Sequence, residues 1–150
     1  MSESPDRICI SHDDYHAQFV GRTRDGKQFF VTQPFVPCGH DFVARYLFDQ
    51  NGQFLDALIH DLGERTTGDP PGMGLFNNPH AESLQKQLLD DLGDIEFCDI
   101  NVSPFSYNSH DTTFGLIPVP PEEDDDDWNV IAEPGNYMAF YPPWDGDYYT

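Results

Sequence analysis

The chain is expected to fold as one α+β domain (1–150), mostly antiparallel β-sheet with one main α-helix. Three observations carry that expectation. Two Gly-containing turns each lie between strand patterns, a single stretch has helical periodicity, and the aromatic content suits strands. Twelve Phe and seven Tyr in 150 residues are side chains enriched in sheets. A chain of this length buries about 70% of its unfolded surface, enough for one core.

The elements follow in order. Residues 1–14 are polar and read as a loosely ordered N-terminal segment, Arg7–Ile10 excepted. From Tyr15 the residues alternate, with Ala17, Phe19 and Gly21 on one face and Gln18, Val20 and Arg22 on the other. Arg24-Asp-Gly-Lys27 then supplies a turn, and Gln28–Gln33 returns as a strand. An Asp-Gly pair between two strand patterns is a strong hairpin signal. The device repeats with Phe42–Phe48, the turn Asp49–Gly52 and the return Gln53–Ile59. Together these segments predict a four-stranded meander over about 15–60.

Gly63–Pro79 is rich in Gly and Pro and reads as a long loop. The helix is expected over 79–92. Asn78 caps it, Pro79 suits its first turn, Leu84, Leu88, Leu89 and Leu92 form its apolar face, and Gly93 ends it. Further strands are expected at Ile95–Val102, Thr113–Val119, Trp128–Ala132 and Tyr137–Tyr141, with an acidic loop at 120–127. The aromatic tail Tyr141–Tyr149 reads as a flap closing the core, with a binding patch as the alternative.

Motif tests exclude more than they admit. Gly21–Gln28 nearly matches a phosphate-binding loop, but Gln28 stands where a hydroxyl must hold magnesium, and a strand follows instead of a helix. Asp49–Asp56 has scattered oxygens, but Gly52 falls at the fourth position of a calcium loop, not the sixth. Cys9, Cys38 and Cys98 form no paired framework. Cys9 with His12 and His16, and Cys38 with His40, are the thiol and metal candidates, yet paired ligand spacing of the zinc kind is absent. No cofactor and no metal site is therefore expected. The thiols, and an N-terminus without a basic-then-apolar leader, fit a cytoplasmic protein.

Charge is the most informative feature. The chain carries 27 acids against 7 bases, a net −20. All seven bases lie within residues 1–86, and residues 87–150 hold fifteen acids with no Lys or Arg. Nucleic acid and anionic membrane are excluded as partners, because both require a cationic surface. A basic protein is the partner such a field suits. The expected contact residues are Asp90, Asp91, Asp94, Glu96 and Asp99, the run Glu122, Glu123, Asp124, Asp125, Asp126 and Asp127, and the rings of Trp128 and Trp144. The first five are expected to have no cation in sequence reach.

The resulting expectation is a binding protein, not an enzyme. Its most concrete form is a bacterial immunity- or antitoxin-type inhibitor of a basic toxin, such as a nuclease. One alternative is a small enzyme or metal-binding domain around Cys38, His40 and the 63–79 loop. Another is a divalent-cation or carbohydrate module built on the acidic loop and terminal aromatics.

Overall fold

The computed structural model of the protein describes residues 4–36, 39–64, 79–123 and 127–150. Its elements are β1 (Ile8–Ile10), β2 (Phe19–Thr23), β3 (Gln28–Thr32), β4 (His40–Phe48), β5 (Phe54–Glu64), α1 (Pro79–Asp90), β6 (Ile95–Phe97), β7 (Ile100–Val102), β8 (Phe105–Ser109), β9 (Thr112–Val119), β10 (Asn129–Glu133), β11 (Ala139–Phe140) and β12 (Tyr148–Tyr149). The architecture is the expected one: a mostly antiparallel α+β domain with one helix among the described residues.

The meander forms as read. Strands β2 to β5 lie in sequence order in a five-stranded sheet, and β6 joins β2 to complete it. Both turns use glycine in the left-handed region, with φ of 91° at Gly26 and 88° at Gly52, where a side chain is strained. A second five-stranded sheet runs β12-β11-β10-β9-β8, and β1 pairs with β7 as a two-stranded ribbon.

Side-chain alternation sorts the first sheet into two faces. Phe30, Phe42, Ala44, Tyr46 and Phe48 face the second sheet and share the main core with Phe114, Leu116, Val130 and Phe140. Phe29, Val31 and Val43 point the other way, against Ala81 and Leu88 of α1. Strand β3 is therefore buried along its whole length. The layers run helix, sheet, sheet.

Ile8 and Ile10, in the stretch excepted from the loose N-terminal segment, are fully buried in the ribbon. Two readings change in the structure. The segment expected as one strand over Ile95–Val102 is two, because Cys98–Asp99 crosses from the first sheet to the ribbon. β8 was not expected from its polar sequence Phe-Ser-Tyr-Asn-Ser, and it forms the edge of the second sheet.

Gln28 joins these parts. Its side chain is buried and donates to the carbonyls of Asp49 (3.2 Å) and Asn101 (3.0 Å), while its Oε1 accepts the Asn101 N–H (2.7 Å). Gly52 lets the same ribbon approach, since a Cβ there would fall 2.5 Å from the Asn101 carbonyl oxygen. The residue that spoils the phosphate-loop pattern thus has a structural task. Asp49 is committed as well: its Oδ1 accepts the N–H groups of Asn51 (2.8 Å) and Gln53 (2.9 Å), which closes a turn of the Asx kind.

Candidate functional site

The helix ends at Asp90, and Gly93 (φ 79°) turns the chain toward β6. Asp90 and Asp91 are exposed at this terminus, where the helix dipole already presents negative charge and the last turn holds no basic residue. From β4, Arg45 offsets part of the cost by donating to the Leu88 carbonyl at 3.2 Å. Carboxylates placed against the dipole break a local rule of stability, and such violations concentrate at functional positions.

Asp94, with no cation in sequence reach, gains one through the fold. The β2–β3 turn brings Arg24 to 3.6 Å from its carboxylate, with both side chains more than 80% exposed. Lys27 pairs with Asp25 in the same turn at 2.9 Å. Hydrogen bonds from Thr23 and Lys27 hold the Asp25 carboxyl down at about 2. Arg7 shares a shallow depression with Gln53 and Pro118, just before the acidic loop. The separation of charge along the chain is therefore incomplete in space, because Arg24 stands beside Asp94 and Arg22 pairs in register with Glu96. Glu122, Glu123 and Asp127 are exposed, while Asp124–Asp126 lie outside the described residues. Trp128 is half-buried.

A second acidic region keeps its charge. Ser11, His12, Asp13 and Tyr15 lie against residues 146–150, and together they line one shallow depression that contains no Lys or Arg. The tail is pinned there. The Cys9 N–H donates to the Trp144 carbonyl (3.3 Å) and the Ser11 N–H to that of Gly146 (3.4 Å). The Tyr148 hydroxyl donates to Asp13 (2.5 Å) and accepts the His16 N–H (3.1 Å). Asp13 Oδ1 accepts the N–H groups of Tyr15 (2.9 Å) and Ala17 (3.0 Å). Burial acts to raise the Asp13 carboxyl, but these donors outweigh it and hold it below the usual carboxylate range. Trp144 packs against the main core, so of the two expected ring anchors this one belongs to the closing flap.

Beside the tail stands the edge of the first sheet. A Cβ on Gly21 would fall 2.0 Å from the Glu96 carbonyl oxygen, so glycine is what lets β6 pair so closely. Phe97 packs its ring near Phe19 and Phe29, and His12 stacks on it at 5.7 Å with ring planes 1° apart. Asp99 accepts the His12 N–H at 2.8 Å, tying β6 to the tail face. Phe97 remains 44% exposed, Tyr15 49% and Tyr149 70%. Their carboxylate neighbours in sequence and on this face are Asp13, Asp14, Glu96, Asp99 and Asp147. Of the expected residues, the fold ties Asp99 to this face, while Glu96 pairs in register with Arg22 and points to the other side of β6 from Phe97. Sequence reasoning missed Tyr15 and Phe97, because a single exposed ring carries no periodic signal; Tyr149 lay in the aromatic tail, for which a binding patch was the alternative reading.

The chemical alternatives find limited material. Burial and the nearby Asp99 carboxylate push the Cys9 thiol up, which disfavours the thiolate a nucleophile requires. His40 bonds Asp61 through Nδ1 at 2.8 Å at the far end of the sheet. Cys38 and residues 65–78 lie outside the described residues. Among those described, no three His, Cys, Asp or Glu side chains are grouped to hold a metal ion, and no helix is long and apolar enough to cross a membrane.

Comparison with known proteins gives no match: no family model, curated protein or solved structure is similar to this chain.

Proposed function

We propose that the protein binds a basic protein partner through the face built from residues 11–15, 96–99 and 145–150. The observation that carries this reading is the exposure of three rings, Tyr15, Phe97 and Tyr149, near carboxylates, with no Lys or Arg lining the depression between residues 11–15 and 146–150. Protein interfaces combine aromatic anchors at the centre with polar groups at the rim. A wholly acidic rim selects a cationic partner and speeds its encounter. In its most concrete form the protein is an immunity- or antitoxin-type inhibitor of a toxin whose phosphate-holding cleft must itself be basic. The helix-end carboxylates Asp90 and Asp91 and the exposed part of the acidic loop extend the same field.

The test separates rings from charge. Phe97→Ala with Tyr149→Ala leaves the net charge unchanged and removes the anchors. Co-expression with the product of the neighbouring gene, followed by affinity capture and calorimetry, should give a defined complex with wild type. The double variant should bind at least tenfold more weakly, the loss of roughly 1.4 kcal/mol or more expected of interface anchors. Equal binding by both proteins would reject this face.

A further inference from the structure

We propose that β5 is a self-association edge through which two copies of the chain join their first sheets into one antiparallel sheet. β5 spans eleven residues, the longest strand among the described residues, and stands at the end of its sheet. Among the described residues it pairs with β4 alone. A long edge strand presents unpaired backbone groups, and proteins usually shield such edges or use them. Two of the six large exposed apolar side chains among the described residues are here: Leu55 at 48% and Leu58 at 40%.

The occupant follows from the sequence of the strand. Between two register irregularities, Asp56–Asp61 pairs regularly with β4. Asp56, Leu58 and His60 share one face, opposite Leu47, Arg45 and Val43. A two-fold axis normal to the sheet keeps each side chain on its own face. Only even registers are then allowed, since a one-residue slip would oppose the two faces. With the axis at Leu58, that residue meets Leu58 of the second copy, and Asp56 meets His60 of the second copy twice over. Moving the axis one residue either way sets Asp56 against Leu58 or Leu62 instead. Directly opposed side chains in antiparallel strands lie about 4.5–5.5 Å apart at Cβ, close enough for the carboxylate and imidazole to bond. One register therefore aligns both the apolar pair and the two polar pairs, and β5 is complementary to itself.

Two terms oppose pairing. The Asp56 carboxylate already accepts the Ala57 N–H at 2.8 Å, so His60 of the second copy competes with that bond. Each copy also carries −20, and the two bodies repel. Salt screens that repulsion over a Debye length of about 8 Å at physiological ionic strength. The dimer should accordingly tighten as salt rises, the reverse of the response expected for the basic partner. The two surfaces are distinct, so either inference stands if the other falls.

The experiment is sedimentation velocity on the full chain, from micromolar to about 1 mM, the range in which a small interface associates. Wild type should approach twice the 17.1 kDa chain mass at 0.5 M salt. Leu58→Arg should shift dissociation at least tenfold toward the monomer. Asp56→Lys should do the same, and adding His60→Asp to Asp56→Lys should restore the dimer with its pairs reversed. This restoration reports register, which a merely misfolded variant cannot mimic. A wild type that stays monomeric throughout overturns the proposal. So does a dimer indifferent to Leu58→Arg, or one the reversed pair fails to restore.

Discussion

The two acidic regions of this molecule have similar composition and different surroundings. At the turn end, Asp94 meets Arg24, Asp25 meets Lys27, and Asp49 closes its own turn. On the tail face, Asp13 and Asp147 lie beside the exposed Tyr15 and Tyr149, and no Lys or Arg lines the depression between them. Net charge summed along a chain is thus a poor guide to the field a partner meets. What matters is which cations the fold returns to the acids: Arg24 stands beside Asp94 and Arg22 pairs in register with Glu96, while none lines the depression between residues 11–15 and 146–150.

The largest expected effect comes from breaking the joint between these regions. Gln28→Leu retains volume but removes three hydrogen bonds, leaving the Asp49 and Asn101 backbone groups without a side-chain partner. The Asp49 carbonyl keeps the Gly52 N–H at 3.0 Å, so the loss falls mainly on the two Asn101 groups, and urea unfolding should show a loss of about 1–3 kcal/mol. An unchanged midpoint would show that water or backbone takes over all three bonds.

A smaller effect probes how the tail face is held. Tyr148→Phe removes the donor to Asp13 and should cost about 1 kcal/mol. Asp13 has a lowered folded value, so it contributes stability above its unfolded pKa. That contribution is lost as pH falls through the folded pKa. In the variant the Asp13 carboxyl should titrate at higher pH, and its part of the acid loss should begin at higher pH. Carboxyl NMR titration of both proteins checks the direction. A downward movement would contradict the assigned bond.

The smallest effects belong to the turn end. Asp90→Lys with Asp91→Lys reverses an unfavourable dipole interaction and should raise stability by about 0.5–1 kcal/mol. Asp94→Asn removes an exposed ion pair and should change stability by less than about 0.5 kcal/mol. Thermal melts suffice for both. A clear loss from the lysine pair would mean those carboxylates make contacts that the dipole argument omits.

The local features of the fold were legible in the sequence. Both hairpins, the helix with its leucine face, and the stop at Gly93 depend on residues within one turn or strand of each other. Contacts between distant segments were not legible. Ile8 pairs with Val102, and Gln28 bonds Asn101, across separations at which no period or turn residue signals the partner. The break at Cys98–Asp99 was hidden for the same reason, since Ile95–Val102 reads as one strand until two different sheets claim its halves. The site followed this pattern. Glu96 and Asp99 were visible as charge, but Phe97 between them matters only because β6 is an edge and leaves its ring exposed. Arg24 beside Asp94 likewise depends on where the first hairpin packs.

The most direct test of the central claim is the association rate of the captured partner, measured by stopped flow from 0.05 to 0.5 M salt. Wild type is compared with a variant carrying Asp14→Asn, Glu96→Gln, Asp145→Asn and Asp147→Asn. A steered encounter predicts that the wild-type rate falls at least tenfold over this range, while the variant starts lower and changes little. Dissociation should be nearly the same for both, because rim charges act mainly on encounter. A wild-type rate indifferent to salt, or a variant that associates as fast as wild type, would contradict the account.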